Sequence, residues 1–313
     1  MRLIKTFLNE LKNYINSENY ILHYPSLKIV PNEVNLHWYH SELEKKGDFA
    51  CNNLGDCLSP YIVKWILKKV GIKQTLRKTS NLYAVGSILL MGNQNATIWG
   101  TGLPYMPNKL KSFFHNSGKR TLDVRCVRGP KTRLALIEMG HKCPPLFGDP
   151  ACLLPFIYNI RSEKKYKLTF IPHYSKIIAA RKNFPNLNVL DMRTNDVEYV
   201  VSEICASEKI ISSSLHGIII AESYGVPAVF LQDREDALNF KYEDWYESTC
   251  RDVYPIAHNF DEACRIKSEV PSNIKDLQKT LIDTFPIDLY ENNKLPEIKR
   301  AMFDLLDCVK GLS

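Results

Sequence analysis

The sequence predicts an α/β protein of two domains, each built on a parallel β-sheet covered by helices. Three observations predict this fold class. The chain has 313 residues, which is longer than a single hydrophobic core usually supports. Short β-branched segments alternate with helical patterns, as in parallel sheets whose strands are joined by helices. Prolines near residues 144–155 and a polar stretch at 161–165 interrupt the alternation, so we place the domain boundary between 1–160 and 161–313.

The first domain contains four predicted strands. Apolar residues at helical spacing over residues 2–16 predict an amphipathic helix at the start of the chain. The predicted strands are Val34–Tyr39, Leu82–Val85, Thr97–Trp99 and Val124–Val127, and the predicted helices are Leu58–Lys69 and Pro130–Met139. The second of these helices has proline in its first turn and Gly140 just past its end, an asymmetry typical of helices.

The second domain repeats the same alternation. Its predicted strands are Lys167–Ile171, Asn188–Leu190, Lys209–Ser212 and Ala228–Leu231, and its predicted helices are Ser175–Asn183, Val197–Ala206 and Leu215–Tyr224. Residues 272–312 predict two helices on either side of a turn at Pro286. Open α/β sheets bind ligands beyond the carboxyl ends of their strands. We therefore look for the site at strand-to-helix junctions facing a cleft between the domains.

Composition excludes several classes of protein. The chain is 45% apolar and 24% charged, as in soluble globular proteins, and no apolar stretch approaches the roughly 20 residues that span a bilayer. The N-terminus lacks a hydrophobic signal core, which predicts a cytoplasmic location. The nine cysteines form no C-x-x-C pair, which indicates neither a zinc site nor a disulfide framework, and Cys57, Cys126, Cys152 and Cys205 read as core residues.

The net charge of +7 is spread along the chain without a basic run, so we expect no nucleic-acid partner. The same excess of positive charge fits an anionic small substrate or an acceptor at an anionic membrane surface. No metal-ligand spacing is present, and we expect neither a metal nor another cofactor.

The junction at Ser212–His216 is the most informative segment. A buried β-branched run ends in three serines, and an apolar helix begins at Leu215. Hydroxyls and unpaired amides in the first turn of a helix favour an anion there, and His216 adds a titratable group. The structural alternative is that the serines only cap the helix and His216 only packs.

Five further junctions follow strands or turns. Asn53 and Asp56 suit a tight turn and a helix cap, and Asp56 could act as a base or bind a hydroxyl. The glycines of Gly100-Thr101-Gly102 would let a ligand approach the backbone closely. Arg128 lies just before a Gly-Pro helix start, so its guanidinium should reach the cleft. The side chain of Arg125 should point from the same edge of the sheet. His173 is a second histidine at a strand end, whereas Gly148-Asp149-Pro150 reads as a structural turn.

Taken in order, these junctions resemble the motifs of the polysaccharide pyruvyl transferase family. The matching segments run in register from about residue 50 to 250. They are Asn53–Asp56, Gly100–Gly102, Val127–Pro130, Phe147–Pro150, Ile171–Tyr174, Ser213–Gly217 and Phe240–Tyr246.

The resemblance implies two Rossmann-like domains arranged as in GT-B glycosyltransferases, with the active site in the cleft between them. It implies transfer of the enolpyruvyl part of phosphoenolpyruvate onto two hydroxyls of one sugar, free or lipid-linked, to give a cyclic pyruvate ketal. Arg128 then matches the arginine that holds the donor. Many members carry arginine where this chain has Ser214, so one donor contact is either missing or comes from elsewhere, such as Arg125 or Lys241.

The resulting hypothesis assigns acid/base roles to three residues and substrate binding to ten. The catalytic candidates are His216, Asp56 and His173. The binding candidates are Arg128, Arg125, Ser213, Ser214, Leu215, Asn53, Gly100, Thr101, Gly102 and Lys241. Peripheral contact with the cytoplasmic face of the inner membrane is a further expectation.

Two other functions remain open from the sequence. One is a GT-B glycosyltransferase that uses a nucleotide sugar, since it would share the cleft and the anion-binding helix start. The other is a glycan- or phosphate-binding relative that has lost catalysis, which Ser214 in place of arginine favours.

Overall fold

A computed structural model describes residues 32–38, 54–72, 79–90, 94–107, 120–232 and 239–290. Three predictions lie outside these ranges: the helix over residues 2–16, the site residue Asn53, and the helix expected beyond the Pro286 turn. The side chain of Asp56 is not described either.

The first half of the chain forms a four-stranded parallel sheet of order β1-β2-β3-β4. Its strands are β1 (Val34–His37), β2 (Ser80–Tyr83), β3 (Ala96–Trp99) and β4 (Leu122–Cys126), accompanied by α1 (Leu58–Lys69) and α2 (Pro130–Glu138). The predicted strands and helices are confirmed, with ends that differ by no more than two residues. Proline at the first position of α2 follows Gly129, whose extended backbone forms the N-cap.

The second half forms a five-stranded parallel sheet of order β6-β5-β7-β8-β9. Its strands are β5 (Thr169–Ile171), β6 (Asn188–Val189), β7 (Ile210–Ser212), β8 (Ala228–Leu231) and β9 (Ile256–Ala257). The helices are α3 (Leu154–Ile157), α4 (Ile177–Asn183), α5 (Val197–Cys205), α6 (Leu215–Ser223), α7 (Phe240–Ser248), α8 (Phe260–Arg265) and α9 (Ile274–Asp283). Strand β9, which has two residues, was not predicted from the sequence.

Helix α6 lies at the centre of the molecule. Every residue from Leu215 to Glu222 is buried, and a helix that is apolar on all sides belongs in the interior. The largest apolar cluster takes residues from both halves of the chain, among them Leu58 and Ile62 from α1 and Ile218 and Trp245 from the second half. The first turn of α6, with His216, therefore lies where the two halves pack together.

The end of the described chain returns to the first sheet. The indole of Trp99, at the end of β3, donates to the backbone oxygen of Leu281 on α9 over 2.9 Å. Phe285 meets the same indole edge-on, with ring centroids 5.0 Å apart. Leu281 also packs against Gly148. Helix α9 thus covers the edge of the first half although it follows the second in sequence.

The cysteines differ from expectation at one position. Cys126, Cys152 and Cys205 are buried free thiols, as predicted. Cys57 is buried in the core as predicted, but it is disulfide-bonded, which the sequence did not predict. No helix in the described ranges is long and apolar enough to cross a membrane.

Leu281→Ala should lower the free energy of unfolding by about 2–5 kcal/mol, because it removes a buried side chain from the contact between α9 and the first sheet. Urea unfolding followed by tryptophan fluorescence measures this change. Leu134→Ala, at a position on α2 that is 53% exposed, is the matched control and should change stability by less than about 1 kcal/mol. Equal losses in the two variants would contradict the assigned packing.

Candidate active site

The carboxyl end of β7 turns sharply into α6 through three serines. The hydroxyl of Ser212 accepts from the amide of Ser214 over 3.0 Å and donates to the Ser214 backbone oxygen over 2.9 Å. This local ring of bonds shapes the turn, so Ser212 has a structural role. The buried hydroxyl of Ser213, by contrast, forms no hydrogen bond with any residue that the structure describes. Ser213 is therefore the serine of this turn best placed to meet a ligand.

Ser214 and Leu215 have different surroundings. Ser214 is the N-cap of α6 and is half-buried, but its side chain makes no capping bond. Leu215 is buried in the large apolar cluster, so its side chain acts in packing. Of the two predicted binding residues, only Ser214 has a polar side chain near the helix start.

His216 lies in the first turn of α6 and is only 4% exposed. Its imidazole packs directly on Gly55, where any Cβ atom would collide with Nδ1. The opposite ring nitrogen, Nε2, lies 3.8 Å from Oδ2 of Asp149. Nε2 forms no hydrogen bond within the described part of the chain. The histidine is thus held between a glycine of the first half and a buried carboxylate.

Burial and two nearby cations keep this imidazole unprotonated. The pKa of His216 is lowered to about 3, first by burial and then by the positive charges of Arg128 and Lys241. At neutral pH the ring is therefore uncharged and able to accept a proton. The charges of two predicted binding residues, Arg128 and Lys241, thus act on His216.

Arg128 is enclosed rather than open to the cleft. Its side chain has no exposed surface, and Nε pairs with Oδ2 of Asp244 over 3.0 Å. Nη1 donates to Ser87 over 2.7 Å and Nη2 to the backbone oxygen of Leu103 over 2.6 Å. These bonds use three of the five N–H groups of a guanidinium. The sequence predicted an arginine that reaches the cleft, and the structure corrects that placement; its binding role stays a prediction.

Asp244 is a residue that sequence reasoning did not single out. This buried carboxylate on α7 accepts from Arg128, from the Thr132 amide over 2.8 Å and from the Thr132 hydroxyl over 2.7 Å. Its backbone oxygen packs on Gly129, leaving no room for a Cβ atom. Asp244 thereby binds the start of α2 to the second half of the chain. The acidic residue inside the aromatic segment Tyr242–Tyr246 was the available signal.

Helix α7 is also bound to α6 by a second buried carboxylate. Glu222 accepts from the indole of Trp245 over 2.8 Å and from both terminal nitrogens of Arg251 over 2.7 and 2.8 Å. Lys241, at the start of α7, is half-buried and lies 5.1 Å from the ring centroid of Tyr242. The Glu222 bonds therefore fix the helix that carries Lys241 relative to the helix that carries His216.

The Gly100-Thr101-Gly102 loop does not present its backbone in the way expected for a phosphate cradle. The amide of Gly100 donates to Cys126, and that of Gly102 donates to Gly86. The Thr101 hydroxyl donates to the same Gly86 oxygen over 2.6 Å. A Cβ atom at residue 102 would collide with the Arg128 guanidinium. The loop thus allows close internal packing, which corrects the expectation that its glycines admit a ligand to the backbone.

Arg125 has its own acidic partners. Its terminal nitrogens bind both carboxylate oxygens of Asp288, over 3.0 and 2.7 Å, and Nε binds Asp123. The pKa of Arg125 is raised, chiefly by its bond to Asp123. The guanidinium of Arg125, which was expected to bind the donor, is instead bonded to the segment after α9. The structure therefore does not bring Arg125 to His216.

The other predicted site residues are not brought to His216 by any described contact. His173 accepts from the backbone of Ser175 at the start of a short 3₁₀ turn, and its ring lies against Tyr174 with centroids 4.2 Å apart. Asp56 follows Gly55, the residue on which the imidazole packs, in the 3₁₀ turn Leu54–Cys57. No group of three metal-binding side chains occurs among the described residues.

The assembled features define an α/β protein with parallel sheets and a neutral buried imidazole beside two cations at a strand-to-helix junction. A family model described as polysaccharide pyruvyl transferase matches residues 42–233, more than half of the chain. The chain belongs to that family. This confirms the resemblance found in the sequence.

Two curated proteins are similar to the chain. An uncharacterized protein, L143, of Acanthamoeba polyphaga mimivirus is 29% identical over 167 residues, which cover 51% of this chain and 55% of that protein. The succinoglycan biosynthesis protein ExoV of Rhizobium meliloti (strain 1021) is 28% identical over 209 residues, which cover 63% of this chain and 61% of that protein. The match thus spans little more than half the length of these relatives.

Among solved structures, a functionally uncharacterized protein from Klebsiella pneumoniae subsp. pneumoniae aligns with a TM-score of 0.42 and 13% identity. The alignment covers 70% of this chain and all of that one. The fold is defined by the chain's own strands and helices and not by this alignment.

The imidazole of His216 should make the folded protein less stable as the pH falls below 6.5. Its pKa is about 3 in the folded chain against 6.5 for an ordinary histidine, so below that value the unfolded chain binds a proton that the folded chain does not. Relative to His216→Gln, the wild-type free energy of unfolding should drop by about 1.4 kcal/mol for each pH unit between roughly 6 and 4.

Urea unfolding at a series of pH values measures this difference. His258→Gln is the matched control, because His258 is exposed and should leave the pH profile of the wild type unchanged. Parallel profiles for the wild type and His216→Gln would contradict the depressed pKa.

Proposed function

We propose that the protein transfers the pyruvyl group of phosphoenolpyruvate onto two hydroxyls of a sugar in a polysaccharide or its lipid-linked precursor, forming a cyclic ketal. The observation that carries the proposal is the neutral, buried His216 close to the charges of Arg128 and Lys241. Phosphoenolpyruvate carries a carboxylate and a phosphate, and cationic side chains bind such groups through charge-assisted hydrogen bonds. Family membership and the similarity to ExoV support the same reaction class.

We further propose that the two sheets and their helices are two Rossmann-like halves in a GT-B-like arrangement, with the active site in the cleft between them. The contact of His216 with Gly55 supports this, because it joins α6 of the second half to the turn before α1 of the first. The pairing of Arg128 with Asp244 joins the halves a second time. Residues from both halves would then contribute to one site.

The proposed chemistry uses His216 first as a base. A sugar hydroxyl attacks the enol carbon of the donor, His216 takes the hydroxyl proton, and the methylene carbon gains a proton to become a methyl group. If His216 returns its proton to that carbon, the imidazole ends the step neutral. The second hydroxyl then displaces phosphate, and its proton leaves with the phosphate. No redox partner is needed, and the atoms balance as one ketal and one hydrogen phosphate.

We place Ser213 and Lys241 on the donor. The Ser213 hydroxyl is buried at the positive end of α6 and forms no bond within the described residues, so it can donate to a donor oxygen. Arg128 has two N–H groups beyond those used by Asp244, Ser87 and Leu103. Direct contact between Arg128 and the donor would require the enclosing loops to open.

The acceptor is proposed to be a free or lipid-linked glycan. A net charge of +7 supports approach to an anionic membrane surface, with the protein acting from the cytoplasmic face. A lipid-linked glycan would be presented at that membrane surface. A free oligosaccharide would reach the site without membrane contact.

A glycosyltransferase that uses a nucleotide sugar is the second candidate function. The helix start at Ser213 and the nearby cations would also suit the pyrophosphate of a nucleoside diphosphate. Isothermal titration separates the two. We expect heat of binding with phosphoenolpyruvate and none with UDP, and the reverse result would favour glycosyl transfer. Binding of glycan alone would favour a non-catalytic relative.

Incubation with phosphoenolpyruvate and a panel of free and lipid-linked glycans should add a ketal to the acceptor and release phosphate, measured by mass spectrometry and a phosphate assay. His216→Ala should lower kcat by about 10²–10⁴-fold, since it removes the acid/base group. Lys241→Met should raise KM for phosphoenolpyruvate by about tenfold or more, through loss of a charged hydrogen bond.

His258→Ala, an exposed position on the second half, serves as the control and should keep wild-type turnover. Full turnover in a folded His216→Ala protein would remove His216 from the reaction. Absence of ketal with every acceptor, together with absence of phosphoenolpyruvate binding, would reject the proposed function.

A further inference from the structure

Asp149 lies in a turn that the sequence analysis interpreted as structural, and part of that interpretation holds. Its Oδ1 accepts from the amide of Ala151 over 3.0 Å and so caps the 3₁₀ turn Pro150–Leu153. The other oxygen, Oδ2, lies 3.8 Å from Nε2 of His216. The carboxylate is completely buried, and the imidazole is nearly so. One oxygen therefore fixes the side chain while the other faces the proposed acid/base residue.

We propose that Asp149 is the positioning residue of His216: it holds the ring proton on Nε2 and leaves Nδ1, on the Gly55 side, as the nitrogen that exchanges protons with substrate. This inference rests on the proposed function. Asp149 touches no reacting atom in this arrangement and acts only through His216.

The first argument concerns hydrogen bonding. Nε2 is buried and has no hydrogen-bond partner among the described residues, and buried polar atoms are rarely left in that state. Of the charged side chains described near the ring, Asp149 is the one with an oxygen facing Nε2. A movement of about 1 Å would bring the pair to hydrogen-bond distance. Catalytic hydrogen bonds are often long before substrate binds and shorten in the complex.

The second argument concerns charge. The positive charges of Arg128, after β4, and Lys241, on α7, lower the pKa of His216 after burial. The carboxylate of Asp149, before α3, lies 3.8 Å from Nε2. Asp244 faces Arg128 rather than the imidazole. When His216 takes a proton, a second buried positive charge forms close to the two cations. A carboxylate against Nε2 stabilises that imidazolium and so makes the proton transfer feasible.

The third argument concerns the opposite side of the ring. Nδ1 lies against Gly55, and the missing side chain there is what lets the imidazole pack with this nitrogen toward the first half. If the proton of the neutral ring is on Nε2, the lone pair is on Nδ1 and points toward the first half of the chain. A base in that tautomer can receive a hydroxyl proton directly.

The tautomer can be measured without any substrate. In protein labelled with ¹⁵N-histidine, the His216 signals are assigned by comparison with His216→Gln, and at neutral pH the wild type should show the Nε2–H tautomer. Asp149→Asn keeps a capping oxygen for Ala151 but turns an NH₂ group toward Nε2, so it should convert the ring to the Nδ1–H tautomer. Nδ1–H in the wild type would overturn the proposal, even if a variant failed to fold.

Turnover provides the second readout. Asp149→Asn should lower kcat by about 10²–10⁴-fold, with KM for phosphoenolpyruvate within about threefold, because donor contacts are unchanged while the base has the wrong tautomer. Asp149→Ser keeps a capping hydroxyl, and its kcat should fall by a similar factor. The pH profile of its kcat should also differ from that of the wild type. A role limited to capping predicts that both variants keep kcat and the wild-type pH profile, which would refute the inference.

Asp196→Asn is the matched control, because Asp196 caps α5 by accepting from the amide of Tyr199 over 2.9 Å and carries no proposed catalytic role. It should keep wild-type turnover. The two proposals fail in different ways. No ketal formation, with the Nε2–H tautomer present in the wild type, counts against the proposed function alone. Ketal formation by Asp149→Asn at the wild-type rate counts against the positioning role alone.

Discussion

The buried ion pair between Arg128 and Asp244 is the interaction on which the rest of the site depends. It joins the segment after β4 to α7, and neither side chain is exposed. Removing one partner of such a pair commonly costs about 3–5 kcal/mol, because the other charge stays buried without compensation. Asp244 also binds Thr132, so the same carboxylate holds the start of α2. The cation that lowers the pKa of His216 is thereby held in place by the other half of the chain.

Three glycines show how closely the chain packs around this ion pair, and two of them, Gly55 and Gly129, lie between the two halves. Gly55 packs on His216, Gly102 on the Arg128 guanidinium and Gly129 on the backbone of Asp244, and a Cβ atom at any of them would collide. A glycine at a strand end is therefore not by itself a signal for phosphate binding. In this protein these three provide the space in which large polar side chains of the core meet.

The sequence predicted the local features well because they depend on neighbouring residues. Alternation indicated the parallel sheets, and the change from Ile210-Ile211 to three serines indicated the junction that carries His216. Contacts between distant segments were not predictable in this way. Arg128 and Asp244 are 116 positions apart, and no spacing rule connects Asp149 with His216. Arg125 was expected near Arg128, but a bidentate bond to Asp288 engages it elsewhere.

The electrostatics of the site connect donor binding with proton transfer under the proposed function. Before the donor binds, burial first and then the charges of Arg128 and Lys241 disfavour a positive charge on His216, so the ring is neutral. A bound dianion would offset those charges and raise the pKa of the imidazole, since a nearby negative charge favours the protonated form. His216 would then accept a proton more readily once phosphoenolpyruvate is in place. The cations that add to the effect of burial in the ligand-free protein would thus also make the protonation of His216 depend on the donor.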